Sequence, residues 1–135
     1  MAVFLSVKEL LSGAESAGLE LWEYVLRASA DETGISTEHS WAQMAARLEA
    51  MKKADASYDA GMRSHSGLTG GDGAKMEAYA ASDGGICGEF IDSILAAALR
   101  MGECNACMHC IVAAPTAGAC GVLPAVLLPY GRRHE

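Results

Sequence analysis

Apolar residues recur at helical spacing in segment after segment of this chain, and no stretch shows the strict alternation of a half-buried strand. This pattern constrains the fold more than any other feature. A repeat near 3.6 residues cannot be laid on a pleat whose side chains repeat every two. Ser6-Val7-Lys8-Glu9 reads as a capping box, in which Ser6 caps the helix and Glu9 reaches back. Leu5 and Leu10 are spaced for the accompanying hydrophobic staple. A helix should run from there to about Ala17, with Gly18 closing it. Leu19 to Ala30 carries Leu19, Leu21, Trp22, Val25 and Leu26 on one face, and Gly34 breaks it. Ser36 or Thr37 caps a third, long helix, with Trp41, Met44, Ala45, Leu48 and Met51 at helical spacing. Charges fill its other face to about Tyr58, and Gly61 ends the region.

Residues 63–73 are polar and glycine-rich and predict a loop. Ala74 to Ala81 suits a short helix, and Gly84-Gly85 is another break. Glu89 to about Met101 predicts a strongly apolar helix with Phe90, Ile91, Ile94, Leu95, Ala98 and Leu99. Residues 112–118 form a second loop. Cys120 to Leu128 resumes as an apolar helix with Pro124 near its start, where proline is best tolerated. The fold class is all-α: a bundle of roughly five to six helices with two glycine-rich loops. The last helix is apolar on all sides, which belongs inside a larger body. Partner mass, from more chain or another subunit, is expected to cover it.

Composition narrows the function. The chain has 135 residues, 51% hydrophobic and 20% charged, enough apolar content for one domain or part of one. Its net charge of −7 argues against nucleic-acid binding. The N-terminus lacks a basic region and a long apolar run, so no secretory signal is read. No membrane span is expected, and a cytoplasmic location follows by default. All five cysteines fall between Cys87 and Cys120, a clustering that suggests metal binding or reactive thiols rather than disulfides.

Three segments carry candidate chemistry. In Ser66-Gly67-Leu68-Thr69-Gly70-Gly71-Asp72, the glycines permit positive φ and close approach of a ligand to the backbone. Ser66 and Thr69 add hydroxyls, and consecutive amides can form an anion nest able to hold a small carboxylate. It is not a phosphate loop, because Lys75 is misplaced for that motif. The alternative is a plain linker. In Pro115-Thr116-Ala117-Gly118-Ala119-Cys120-Gly121, a tight turn delivers Cys120 to a helix start, where the dipole favours a thiolate. The alternative is a small buried cysteine. Cys104, Cys107 and Cys110 form a C-x2-C-x2-C run, but Ala114-Pro115 stands where a ferredoxin would place Cys-Pro. On an unbroken helix these sulfurs would spread over about 120° of arc. The simpler reading is small residues at a tight helix contact. His39, His65, His109 and His134 form no ligand pairing, though His65 abuts the first loop.

Together these motifs resemble the α subunit of the iron–sulfur-dependent L-serine dehydratases, also called L-serine ammonia-lyases. The resemblance covers nearly the whole chain. It is carried by the Ser6–Leu10 start, the charged helix near Met51, Arg63 to Asp72, Asn105-Ala106 and Ile111 to Leu128. It implies a PLP-independent β-elimination of L-serine to pyruvate and ammonia, with a [4Fe–4S] cluster held by three cysteines and one iron open to the leaving hydroxyl. By position, Cys120 matches a cluster ligand, while Ser66, Gly67, Thr69, Gly70, Thr116 and Gly118 match motif residues expected near substrate. The chain would then be the N-terminal part of the family's α-chain domain. The rest of that domain, with the other two cluster cysteines, and a β subunit with the base are the implied partners. A homo-oligomer is also compatible. Family members usually lack the Cys104, Cys107 and Cys110 trio, which leaves those three an auxiliary role or none.

Overall fold

The computed structural model describes residues 6–82 and 85–134. The described residues form six α-helices and no strand: α1 Val7–Ala17, α2 Leu21–Thr33, α3 Thr37–Ala56, α4 Asp72–Ala80, α5 Glu89–Ala106 and α6 Val122–His134. A single 3₁₀ turn, Ala117–Ala119, precedes α6. The all-α expectation holds. No helix among the described residues is long and apolar enough to cross a membrane. The chain divides into two compact units, Met1–Ala46 and Arg47–Glu135.

In the first unit the local signals at α1 act as read. Ser6 Oγ accepts from the Glu9 amide at 3.1 Å. Gly18 takes the left-handed conformation at φ 65°, and its N–H bonds to Glu15 O. The Leu19 amide bonds to Ala14 O at 3.1 Å, completing a Schellman closure. That closure consumes Leu19, so α2 starts at Leu21 instead. Leu5, the other half of the expected staple, lies outside the described residues. Trp22 and Trp41 meet at a tilt of 58°, with ring centroids 5.6 Å apart. The apolar faces read for α2 and α3 stay largely open: Leu21, Trp22, Val25, Trp41 and Met44 are exposed.

In the second unit α5 is the spine, packed by α4 and by α6. Small residues let the helices approach. Gly73 of α4 lies against the Arg100 backbone, and Gly121 lies against Ala98 O. Ala54, Ala96, Ala97, Met101, Cys104, Cys120, Ala125 and Leu128 form the apolar core.

Helices α5 and α6 depart furthest from the sequence reading. Helix α5 continues five residues past Met101 to Ala106, and its buried face holds Asp92, Arg100 and Glu103. The apolar residues Ile91, Leu95 and Leu99 are 44%, 42% and 43% exposed. Arg100 and Glu103 are inside because they are paired. Arg100 donates to Glu77 Oε1 at 2.6 Å and to Asp55 Oδ1 at 2.7 Å, and Arg132 bonds the other Asp55 oxygen. Burial alone would lower the Arg100 pKa, but Asp55 and Glu77 outweigh it and hold the guanidinium charged. The second difference is α6. It begins at Val122, not Cys120, and runs through Pro129 and Gly131 to His134. Pro129 withholds a helical donor. The final turn is nonetheless tied down by Arg132 on Asp55 and by Arg133 over the Phe90 ring at 5.2 Å.

Candidate functional site

The first glycine-rich segment is a closed turn. The Ser64 amide donates to Thr69 O at 2.9 Å, and the Thr69 amide donates to Ser64 Oγ at 3.1 Å. The Gly67 amide bonds to Ser64 O at 2.8 Å, and the Ser66 and Ser64 hydroxyls lie 3.2 Å apart. Gly67, Gly70 and Gly71 have φ of 73°, 143° and 83°, which L side chains rarely adopt. At Gly70 a Cβ would also run into Met62 O. Arg63 donates to Ala60 O and Met62 O, which lays its guanidinium beside Gly71. Among the described residues the Gly70 and Gly71 amides have no hydrogen-bond partner. The turn therefore presents hydroxyls, two glycine amides and a cation in one short stretch, a set suited to an anion such as a carboxylate.

The turn leads straight into α4. The Asp72 amide donates to Glu103 Oε1 at 2.6 Å, and the Ala74 amide donates to Tyr58 Oη at 3.0 Å. Tyr58 in turn donates to Glu103 Oε2 at 2.7 Å. Burial first, then the Glu103 contact, pushes the Tyr58 pKa up to about 12. These contacts explain why α4 starts at Asp72, ahead of the expected Ala74.

The second segment, residues 107–121, carries a cis Ala114–Pro115 bond and the 3₁₀ turn. Asn105 Nδ2 donates to Ala117 O at 3.2 Å. Thr116 and Gly118 are exposed, and Cys120 behind them is 3% exposed. Both loops are thus docked on the last turns of α5, one by Glu103 and the other by Asn105. Among the described residues no hydrogen bond joins the two loops directly.

The cysteines separate. Cys104 is 0% exposed on α5, with its sulfur 3.8 Å from Ala54 O. Burial first, then the charge of Asp55, raises its pKa and keeps the thiol protonated. Cys107 ends the helix, and Cys110 is exposed. Among the described residues no group of three His, Cys, Asp or Glu side chains is placed to hold a metal ion. The described residues therefore do not fit a complete cluster site, and Cys120, buried like Cys104, belongs to no such group.

Glu103, Tyr58 and Arg100 are absent from the sequence reading of the site. The available signal was charge inside an apolar helix. Arg100 and Glu103 interrupt a run that is otherwise apolar, and buried charges demand partners.

The family model described as serine dehydratase alpha chain matches residues 16–135. The chain is 33% identical over 125 residues to the "Probable L-serine dehydratase, alpha chain" of Bacillus subtilis (strain 168), covering 93% of this chain and 42% of that protein. It is 42% identical over 57 residues to the "L-serine dehydratase, alpha chain" of Peptoniphilus asaccharolyticus, covering 42% of this chain and 20% of that protein. The chain thus spans less than half the length of these curated relatives. No solved structure matches. With its two glycine-rich loops set on one helix end and the family match running over most of its length, the chain belongs to the serine dehydratase alpha chain family.

Proposed function

We propose that this chain contributes substrate-binding loops to an L-serine dehydratase, which converts L-serine to pyruvate and ammonia without PLP. One observation carries the reading: both glycine-rich loops are fastened to the C-terminal turns of α5, by Glu103 and Asn105. In this reading the Gly70 and Gly71 amides, with Ser66 and Thr69, hold the substrate carboxylate. Thr116 and Gly118 border the same substrate from the second loop. The α-proton is removed by a base, the β-hydroxyl departs as water, and the resulting aminoacrylate tautomerises and hydrolyses to pyruvate and ammonia.

A [4Fe–4S] cluster, with Cys120 as one thiolate, remains part of the proposal on family resemblance alone. The described residues do not offer a full ligand set for it. The remaining ligands and the base are assigned to the rest of the α domain and to a β subunit, so the isolated chain is inactive. The outer face of α6 suits such a neighbour: Val122, Leu123, Val126, Leu127 and Tyr130 are exposed along it. A cytoplasmic location completes the proposal.

The test is iron, sulfide and pyruvate formation on anaerobically reconstituted protein, alone and with a β subunit and the missing α segment. Pyruvate from L-serine only in the assembled form, with iron lost on Cys120→Ser, supports the reading. Iron retained on Cys120→Ser removes Cys120 from the ligand set. An assembled form that makes no pyruvate refutes the function.

A further inference from the structure

One buried carboxylate closes both ends of the first glycine-rich loop. Tyr58, just before the loop, donates to Glu103 Oε2 at 2.7 Å. The Asp72 amide, just after it, donates to Glu103 Oε1 at 2.6 Å. The Tyr58 hydroxyl also accepts the Ala74 amide at 3.0 Å, so two orphan donors of α4 end on this pair. Glu103 is 3% exposed, and its neighbour Arg100 spends its guanidinium on Asp55 and Glu77 instead. The Glu103 charge is therefore met by a phenol, an amide and the positive end of α4. A buried carboxylate is costly unless it is hydrogen-bonded, so Glu103 is held to the positions of these two donors. Moving either oxygen would change the separation of Tyr58 and Asp72, and the whole of residues 59–71 hangs between them.

We propose that Glu103 is the positioning residue of the substrate loop, fixing Ser66 to Gly71 in the shape that receives the substrate carboxylate. It acts through the loop and touches no substrate. The inference rests on the function proposed above, and loop order can be measured with no substrate present.

The first arm is amide hydrogen exchange on the full chain, comparing wild type, Glu103→Ala, Glu103→Gln and Tyr58→Phe. For Glu103→Ala, residues 59–74 should exchange about tenfold faster while α6 changes less than about twofold. Glu103→Gln, which keeps an acceptor for the Asp72 amide, should restore most of the protection. Tyr58→Phe should give a smaller loop-confined change, and it keeps the test open if Glu103→Ala does not fold. The second arm is steady-state kinetics of the assembled enzyme. For Glu103→Ala, KM for L-serine should rise about tenfold with kcat nearly unchanged, and the glutamine variant should recover most of it.

Loop exchange that stays at the wild-type rate overturns the proposal. So does exchange that rises equally in α6, or kcat that falls with KM fixed. A wild-type assembly inactive on L-serine refutes the proposed function and, with it, the substrate role of Glu103, while the exchange arm still decides whether Glu103 orders the loop.

Discussion

Replacing Gly73 by alanine should loosen the seam between α4 and α5. A Cβ at Gly73 would sit 2.7 Å from Arg100 Cγ, 3.0 Å from its backbone nitrogen and 3.1 Å from its Cα. The side-chain carbon cannot swing away freely, because the Arg100 guanidinium is held by Asp55 and Glu77. The other two atoms are α5 backbone. Comfortable carbon contacts lie near 3.5–4.0 Å, so α4 must retreat by about half an ångström or more. Overpacking of this kind costs about 1–3 kcal/mol. Alanine's better helix propensity returns at most about 1 kcal/mol, and less in a first turn. The net expectation is a loss of about 1–2 kcal/mol. Gly102→Ala is the matched control: it lies in α5, is exposed, and its Cβ would meet nothing within 4 Å. It should gain about 0.5–1 kcal/mol. Urea unfolding followed by far-ultraviolet circular dichroism reads both. Opposite signs support the close-approach argument. A Gly73→Ala chain as stable as wild type, or both variants shifted alike, refutes it.

Other expectations follow from the charges and thiols of the second unit. Arg100→Ala leaves buried Asp55 with only one of its two arginine partners, Arg132, and takes the arginine from Glu77; it should cost up to about 3 kcal/mol in urea unfolding. Thiol alkylation at neutral pH should label exposed Cys87 and Cys110 quickly, and buried Cys104 and Cys120 slowly; rapid labelling of Cys104 would contradict its raised pKa. Tyr58 should make the fold sensitive to strong alkali. Its folded pKa of about 12 exceeds the ordinary tyrosine value, so its stabilisation is complete below that ordinary value and is lost as pH rises through about 12. After allowance for solvent screening this amounts to at most about 2 kcal/mol. Tyr58→Phe should lack this loss, so the stability advantage of wild type over the variant should shrink across that range.

Short-range signals were legible in the sequence. The Ser6 cap and the Gly18 closure each depend on residues within a turn or so, and both stand where the sequence put them. The same holds for the first glycine-rich loop, where the φ values of Gly67, Gly70 and Gly71 favour glycine. What could not be read was the inward face of α5. Periodicity chose Ile91, Leu95 and Leu99, whereas the structure buries Asp92, Arg100 and Glu103. The partners of Arg100 and Glu103 stand at Asp55, Tyr58, Asp72 and Glu77, far away along the chain. A local apolar pattern carries no information about such pairs. The same blindness ended α6 too early at its proline, because Arg132 reaching Asp55 is again a distant contact. The first loop was found from composition, but its fastening to α5 was not.

Both tryptophans of the chain, Trp22 and Trp41, belong to the first unit, whereas Tyr58, Tyr79 and Tyr130 belong to the second. The protein therefore carries a natural optical label confined to one of its halves. Indole emission, excited at the red edge of the aromatic band, follows the Trp22–Trp41 pair alone. Tyrosine absorbance draws chiefly on the half that bears the glycine-rich loops. Melting the chain while recording both signals reveals whether the halves come apart together or in sequence.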